Sequence, residues 1–144
     1  MLVWYIQLAT TWFMTGLIWL IQVVHYPLFA QVGQGQFSEY HIAHSRLISL
    51  IVMPVMVVEL VTAALLVFSP SPKLWQGWPM IALGLAVGIW ATTAFASVPA
   101  HNTLVDGFDA SAHTMLVRTN WLRTLGWTAR GGLLLWMFHQ VHHG

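Results

Sequence analysis

The chain has 144 residues, of which 58% are hydrophobic and only 6% are charged, and its net charge is +1 with the histidines neutral. About a quarter of the residues of a soluble globular domain are charged, so this composition excludes a soluble protein and indicates an integral membrane protein of one domain. The small net charge, without a basic cluster, excludes nucleic acid as a partner. The absence of cysteine excludes disulfides, thiolate metal sites and thiol catalysis.

Four apolar stretches predict an all-α fold: a polytopic membrane protein with a bundle of four transmembrane helices in the lipid bilayer. The first helix is predicted over residues 4–26 and ends at Pro27, because proline breaks the helical hydrogen-bond ladder. The second is predicted over residues 39–68, longer than the roughly 20 residues that span a bilayer. Ser38 is the expected cap of its first turn.

The third helix is predicted over residues 80–98 and ends at Pro99, and the fourth over residues 110–140, capped by Asp109. The fourth is expected to cross the membrane from about residue 120 to residue 139. Gly84 and Gly88 form a small-xxx-small pattern that permits a homo-oligomer without requiring one. The helices make one domain, residues 1–144, and no longer internal repeat is evident.

The basic residues predict an orientation for the bundle. Four crossings place both termini on one side of the membrane, called side A, together with Lys73. The opposite end, side B, carries Arg46, Arg118 and Arg123. The excess of basic residues predicts that side B faces the cytoplasm.

Two charged residues are predicted to meet deep in the membrane. Glu59 and Arg130 each lie nine residues from the side A end of their helix, which places both about 13 Å deep. An isolated charge in hydrocarbon is costly, so the two side chains are expected to form a buried ion pair. A structural bridge and a role in proton transfer or substrate binding both remain open.

A second polar cluster is predicted at side B, where each of the four helices contributes a polar side chain: His25, His41, His44, His101, Asn120 and Arg123. Imidazoles from neighbouring helices hold iron, copper or zinc in helical bundles, and pairs of histidines also ligate haem. The four histidines are therefore candidate metal ligands. The alternative is that they are structural or substrate-binding side chains, each separately hydrated or hydrogen-bonded.

Several short motifs resemble a known family. Residues 93–104 read Thr-Ala-Phe-Ala-Ser-Val-Pro-Ala-His-Asn-Thr-Leu, and residues 119–124 read Thr-Asn-Trp-Leu-Arg-Thr. Together with residues 24–29 and 52–56, they resemble the anthrone-oxygenase-like membrane family of bacteria and fungi. The resemblance implies a four-helix protein, here of the bacterial inner membrane, and some family members oxidise anthrones to anthraquinones with dioxygen. The family commonly has Pro-x-Asn-Asn where residues 99–102 read Pro-Ala-His-Asn, a departure that favours a metal or haem site.

These features predict a membrane oxidoreductase or oxygenase that acts on a hydrophobic aromatic or quinol-like substrate in a cavity lined by the side B cluster. The predicted catalytic residues are His41, His101, Asn120 and Arg123; the histidines would hold a metal or act as general base, and Arg123 would stabilise an oxyanion. The expected cofactor is iron, copper, zinc or haem, or none. The alternative is a non-enzymatic membrane subunit or a protein that binds haem or a lipid-soluble ligand.

Overall fold

The computed structural model describes residues 1–69, 71 and 74–143; Lys73 lies outside them, and the described part contains helices and turns but no strand. Its four helices are α1 (Leu2–Phe29), α2 (Gln34–Phe68), α3 (Gly77–Leu104) and α4 (Ala110–His143). The predicted all-α fold of four helices is confirmed. α1, α2 and α3 are long and apolar enough to cross a membrane, as an integral membrane protein requires, whereas a crossing by α4 stays a prediction.

The helices form a closed ring in which α1 packs against α2 and α4, and α3 packs against the same two helices. The apolar core lies between them and is centred on buried side chains that each helix contributes, including Met14, Phe29, Met56, Ile89 and Trp127. Gly84 and Gly88 have open space where a Cβ would lie. The small-residue face of α3 is thus not used for packing among the described residues, and a homo-oligomer stays a prediction.

The predicted ends of the first and third helices are wrong, because α1 continues beyond Pro27 and α3 beyond Pro99. Each proline follows a five-residue π-turn, Ile21–His25 in α1 and Thr93–Ser97 in α3. In α1 the N–H of residue 26 donates to the carbonyl five residues earlier, and α3 repeats this bond. The wider turn accommodates the proline ring, which would otherwise clash with the carbonyl four residues before it.

The predicted caps are correct for one helix and wrong for another. α2 begins at Gln34, after Gly33, so Ser38 lies inside the helix, where its Oγ donates to the carbonyl of Val105 instead of capping. Asp109 does cap α4, since its Oδ1 accepts the backbone N–H of Ala112 at 2.6 Å.

The two halves of the chain repeat the same design, contrary to the expectation of no internal repeat. α1 and α3 have 28 residues each, and α2 and α4 have 35 and 34 residues. The π-turns begin at Ile21 and Thr93, and the prolines that follow are Pro27 and Pro99, so both features recur after 72 residues. Each half is therefore a helix with a π-turn followed by a longer helix.

Candidate functional site

The four histidines predicted at side B lie together as two hydrogen-bonded pairs. His25 Nε2 lies 2.8 Å from His44 Nδ1, and His41 Nε2 lies 3.2 Å from His101 Nδ1. The ring centroids of His44 and His101 are 6.0 Å apart, so the pairs are neighbours. The buried ring of Phe29 packs edge-on against three of the four imidazoles and fills the space beside them.

Two histidines satisfy the carbonyl groups at the ends of α1 and α3. His41 on α2 donates from Nε2 to the carbonyl of His101 at 3.1 Å, and His113 on α4 donates from Nε2 to the carbonyl of Tyr26 at 2.7 Å. Both carbonyls belong to the last four residues of their helix, which have no partner in the helical ladder. A histidine of α2 therefore binds the end of α3, and a histidine of α4 binds the end of α1, so each half of the chain contacts the other in the same way.

The bond to a carbonyl also fixes where the protons lie. A carbonyl oxygen only accepts, so His41 carries its proton on Nε2. Nδ1 of His101, beside that N–H, is then an acceptor, and the proton of His101 lies on Nε2, 3.0 Å from the hydroxyl oxygen of Tyr26. This assignment follows from the hydrogen-bond network. It leaves the Tyr26 O–H free to donate elsewhere.

The four histidines are held by hydrogen bonds between their own imidazoles. No group of three or more histidine, aspartate or glutamate side chains in the described part of the chain is placed to hold a metal ion. The nitrogens of His25 and His44 point at each other, as do those of His41 and His101. Iron, copper, zinc and haem therefore remain predictions from the sequence, and no chemical step is derived through them.

Arg123 lies buried near the middle of α4, where its partners are neutral. Its side chain is 5% exposed, and Nη1 donates to Asn120 Oδ1 at 3.0 Å and to Ser97 Oγ at 3.3 Å. Its Cζ lies 5.4 Å from the centroid of the Trp127 ring. No carboxylate of the described residues lies within ion-pairing distance, and Nε has no hydrogen-bond partner among them. An uncompensated buried cation is costly, so an anion bound here would be stabilised.

A chain of amides holds Arg123 in place. Asn120 Nδ2 donates to Gln22 Oε1 at 2.8 Å, and Gln22 Nε2 donates to the carbonyl of Val117 at 3.2 Å. Because Asn120 donates to α1 with Nδ2, its Oδ1 is left to accept from Arg123. Asn120 therefore positions the guanidinium.

A cavity of about 220 Å³ lies between α2 and α3, with α1 and α4 behind it. Tyr26, His101 and Arg123 are among its lining residues, and the guanidinium of Arg123 lies beside the Tyr26 hydroxyl. The side walls carry hydroxyl and apolar side chains from α2 and α3, among them Ser45, Ile48, Ser49, Val52, Thr93 and Ser97. The cavity therefore combines apolar side chains with hydroxyl, imidazole and guanidinium groups.

The lining of this cavity differs from the predicted one. Of the six residues expected to line it, His101 and Arg123 do so, and His41 and Asn120 lie behind them. His25 and His44 line a separate apolar groove between α1 and α2. The reason is the angular position of His25 and His44, which face the α1–α2 side, whereas the cavity lies between α2 and α3.

Glu59 and Arg130 form an ion pair between Oε1 and Nη1 deep in the bundle, with both side chains almost fully buried. Thr11 Oγ1 donates to Glu59 Oε1 at 2.7 Å, and Trp127 Nε1 donates to Glu59 Oε2 at 3.0 Å. Arg130 Nε donates to the carbonyl of Ala82 at 3.0 Å. The pair thus joins all four helices, as a structural bridge would.

Two residues of the site were missed by the sequence reasoning, namely Tyr26 and Ser97. Tyr26 directly follows one π-turn and precedes Pro27, and Ser97 ends the other, two residues before Pro99. Tyr26 appeared only as part of an apolar motif. The available signal was a polar residue one or two positions ahead of a proline in a membrane helix, since such prolines free backbone groups and accompany π-turns at functional sites.

Comparison with known proteins gives no relative: no family model, no curated protein and no solved structure matches the chain.

Proposed function

We propose that this protein is a membrane oxidoreductase that binds a hydrophobic aromatic or quinol-like molecule in the cavity between α2 and α3 and oxidises it with dioxygen. The observation that carries the proposal is Arg123, a buried cation on the cavity wall with no carboxylate partner among the described residues. A ligand oxyanion would balance its charge. The proposal places all four helices across the membrane.

Arg123 and Tyr26 together would bind the oxyanion. Asn120 and Ser97 occupy Nη1 of Arg123, while Nε is buried and has no hydrogen-bond partner among the described residues. A hydrogen bond from a guanidinium to an oxyanion is stronger in a site without water than in solution, and preorganised donors need no rearrangement during the reaction. The Tyr26 hydroxyl is a second donor beside the guanidinium.

Tyr26 is the residue that exchanges a proton with the ligand. The donors run in one direction, from His41 Nε2–H to His101 Nδ1 and from His101 Nε2–H to the Tyr26 oxygen. The Tyr26 phenolate is therefore held by His101 and by the neighbouring guanidinium. His41 and His101 act through Tyr26 and are positioning residues, and general acid–base catalysis of this kind contributes about 10²- to 10⁴-fold.

The reaction balances without a further reductant for a methylene group conjugated through aromatic rings to a carbonyl: R₂CH₂ + O₂ → R₂C=O + H₂O. The ligand ionises by losing one C–H proton to solvent, and its oxyanion lies beside Arg123 and accepts the Tyr26 O–H. Dioxygen takes the electron pair as a carbon–oxygen bond forms, and the resulting peroxide anion takes the proton of Tyr26. The Tyr26 phenolate then takes the second C–H proton as the O–O bond breaks, and the hydroxide that leaves combines with the first proton to give water. The resemblance of residues 93–104 and 119–124 to the anthrone-oxygenase-like family supports this reaction class.

The test is oxygen uptake by the purified protein in lipid nanodiscs, with anthrone and with a quinol as substrates and with the protein-free rate subtracted. We expect one dioxygen per anthrone for wild type and a loss of at least tenfold for Arg123→Met. Arg118→Met is the matched control, since Arg118 is an exposed arginine of the same helix. Equal rates for the two variants, or no uptake by wild type, would contradict the proposal.

A non-enzymatic ligand-binding protein is the second candidate. Its support is that Arg123 and Tyr26 would bind an oxyanion whether or not dioxygen reacts with it. Saturable binding that requires Arg123, without oxygen uptake above the protein-free rate, would favour this candidate over the oxidoreductase.

A further inference from the structure

The cavity opens sideways, toward the surface that faces lipid. The residues at its mouth are exposed: Met53 on α2 and Val98 on α3 have exposed fractions of 42% and 47%, while Arg123 at the inner end is 5% exposed. Met53 lies 15 residues from the end of α2 at Phe68, a distance of about 22 Å along the helix. Since the hydrocarbon core is about 30 Å thick, the mouth lies within it, toward side B.

The opposite side of the bundle is closed at the level of Arg123. Trp19 of α1 packs edge-to-face against Trp121 of α4, with ring centroids 5.6 Å apart. Trp19 Nε1 also donates to Thr128 Oγ1 at 3.0 Å. On the α2–α3 side the corresponding walls carry the small side chains of Ser49 and Ser97. The repeated halves of the chain thus have one sealed interface and one open interface.

The size of the cavity limits what it encloses. A cavity of about 150 Å³ holds a benzene molecule, so the 220 Å³ here enclose the oxygen-bearing ring of a ligand, while further rings or a chain extend toward the mouth. An apolar tail on such a ring would have to leave between Met53 and Val98. Both side chains are apolar and exposed at the mouth.

We infer that the ligand is a single-tailed phenolic amphiphile that enters from the lipid between α2 and α3, with its ring oxygen at Arg123 and its tail leaving past Val98. This inference rests on the part of the proposed function that places the acidic oxygen at Arg123. It adds the route of entry, the orientation of the ligand and the requirement for a tail. It does not depend on the oxidation step.

The experiment measures binding of radiolabelled 4-dodecylresorcinol and of tail-less resorcinol to the full chain in phosphatidylcholine nanodiscs. The meta arrangement of the two hydroxyls does not form a quinone, so binding is read without turnover. We expect wild type to bind the tailed probe at least tenfold more tightly than Arg123→Met does, and at least tenfold more tightly than it binds resorcinol. Val98→Trp, which blocks the mouth, should weaken binding of the tailed probe at least tenfold.

Val87→Trp is the matched control, because Val87 is an exposed valine of α3 away from the cavity, with an exposed fraction of 52%. It should bind the tailed probe like wild type. Ser49→Cys adds a test that barely alters the fold, because the two side chains have nearly the same size. Since the chain has no other cysteine, the introduced thiol is the one that a maleimide modifies. Bound 4-dodecylresorcinol should slow its modification by a lipid-soluble maleimide at least fivefold.

Wild-type affinity for 4-dodecylresorcinol in Val98→Trp, or no protection of Ser49→Cys, would overturn the lateral route. Failure of wild type to bind the tailed probe, with anthrone-dependent oxygen uptake intact, would overturn this inference and leave the proposed function standing. Loss of binding in Val98→Trp together with no oxygen uptake by wild type would overturn the oxidation and leave the inference standing.

Discussion

The two buried arginines of α4 differ in what surrounds them. Arg130 forms an ion pair with Glu59 and also donates to a carbonyl of α3. Arg123 lies seven residues earlier, on the same side of the helix, and has only neutral acceptors and an aromatic face among the described residues. Trp127 lies between them, with its ring beside Arg123 and its N–H on the Glu59 carboxylate.

In the proposed function, this difference separates a structural charge, Arg130, from a binding charge, Arg123. The ion pair of Arg130 is internally compensated and closes the bundle where no ligand is needed. Arg123 lines the cavity between α2 and α3, and in the proposed function a bound ligand compensates its charge. The same residue type on one helix thus supports two roles, and the neighbouring carboxylate decides which.

The largest effect is expected from breaking the compensated charge. Glu59→Gln leaves the Arg130 cation buried without an anion, which costs about 3–5 kcal/mol of unfolding free energy. Equilibrium unfolding in mixed detergent micelles measures this loss. In the double variant Glu59→Gln/Arg130→Met both charges are gone, so stability should return toward that of wild type; a double variant less stable than Glu59→Gln would contradict the structural role.

Removing the hydroxyl of Tyr26 tests the comparison of Arg123 with Arg130 at the cavity. Tyr26→Phe loses the group that exchanges a proton with the ligand, so oxygen uptake should fall about 100-fold, while the unfolding free energy falls by about 1–3 kcal/mol because the N–H of His101 loses its acceptor. Tyr40→Phe, on an exposed tyrosine outside the cavity, is the control. Unchanged uptake in Tyr26→Phe would exclude Tyr26 from the reaction.

A smaller effect is expected where His113 holds the end of α1. His113→Ala leaves the carbonyl of Tyr26 without its side-chain donor, which costs about 1 kcal/mol of unfolding free energy. Oxygen uptake should fall by less than in Tyr26→Phe, because the hydroxyl of Tyr26 remains. A complete loss of uptake with unchanged stability would instead place His113 in the reaction.

The elements that follow from helical geometry could be read from the sequence. Counting depth along each helix brought Glu59 and Arg130 together, and the positions of the histidines at helix ends brought His41 and His101 together. A polar group buried in hydrocarbon needs a partner, so polar side chains at the same depth are expected to contact each other. The end of α2 and the start of α4 likewise lie at the predicted residues 68 and 110.

The π-turns and the cavity could not be read in the same way. A proline in an apolar stretch signals a helix end as readily as a π-turn, and the preceding residues do not distinguish the two. Tyr26 was overlooked because its role depends on the π-turn that places it beside His101. The repeat of the two halves was hidden because its common feature is backbone geometry, while positions such as Phe29 and His101, each two residues after a proline, carry different side chains.

The measurement that tests the account most directly compares Arg123→Met with Arg130→Met for both stability and binding of 4-dodecylresorcinol. The account predicts that Arg123→Met leaves the unfolding free energy within about 1 kcal/mol of wild type, since no carboxylate loses its partner, and abolishes binding. Arg130→Met should instead destabilise the fold by about 3–5 kcal/mol. A strongly destabilised Arg123→Met that still binds the probe would contradict the assignment of Arg123 as the binding charge.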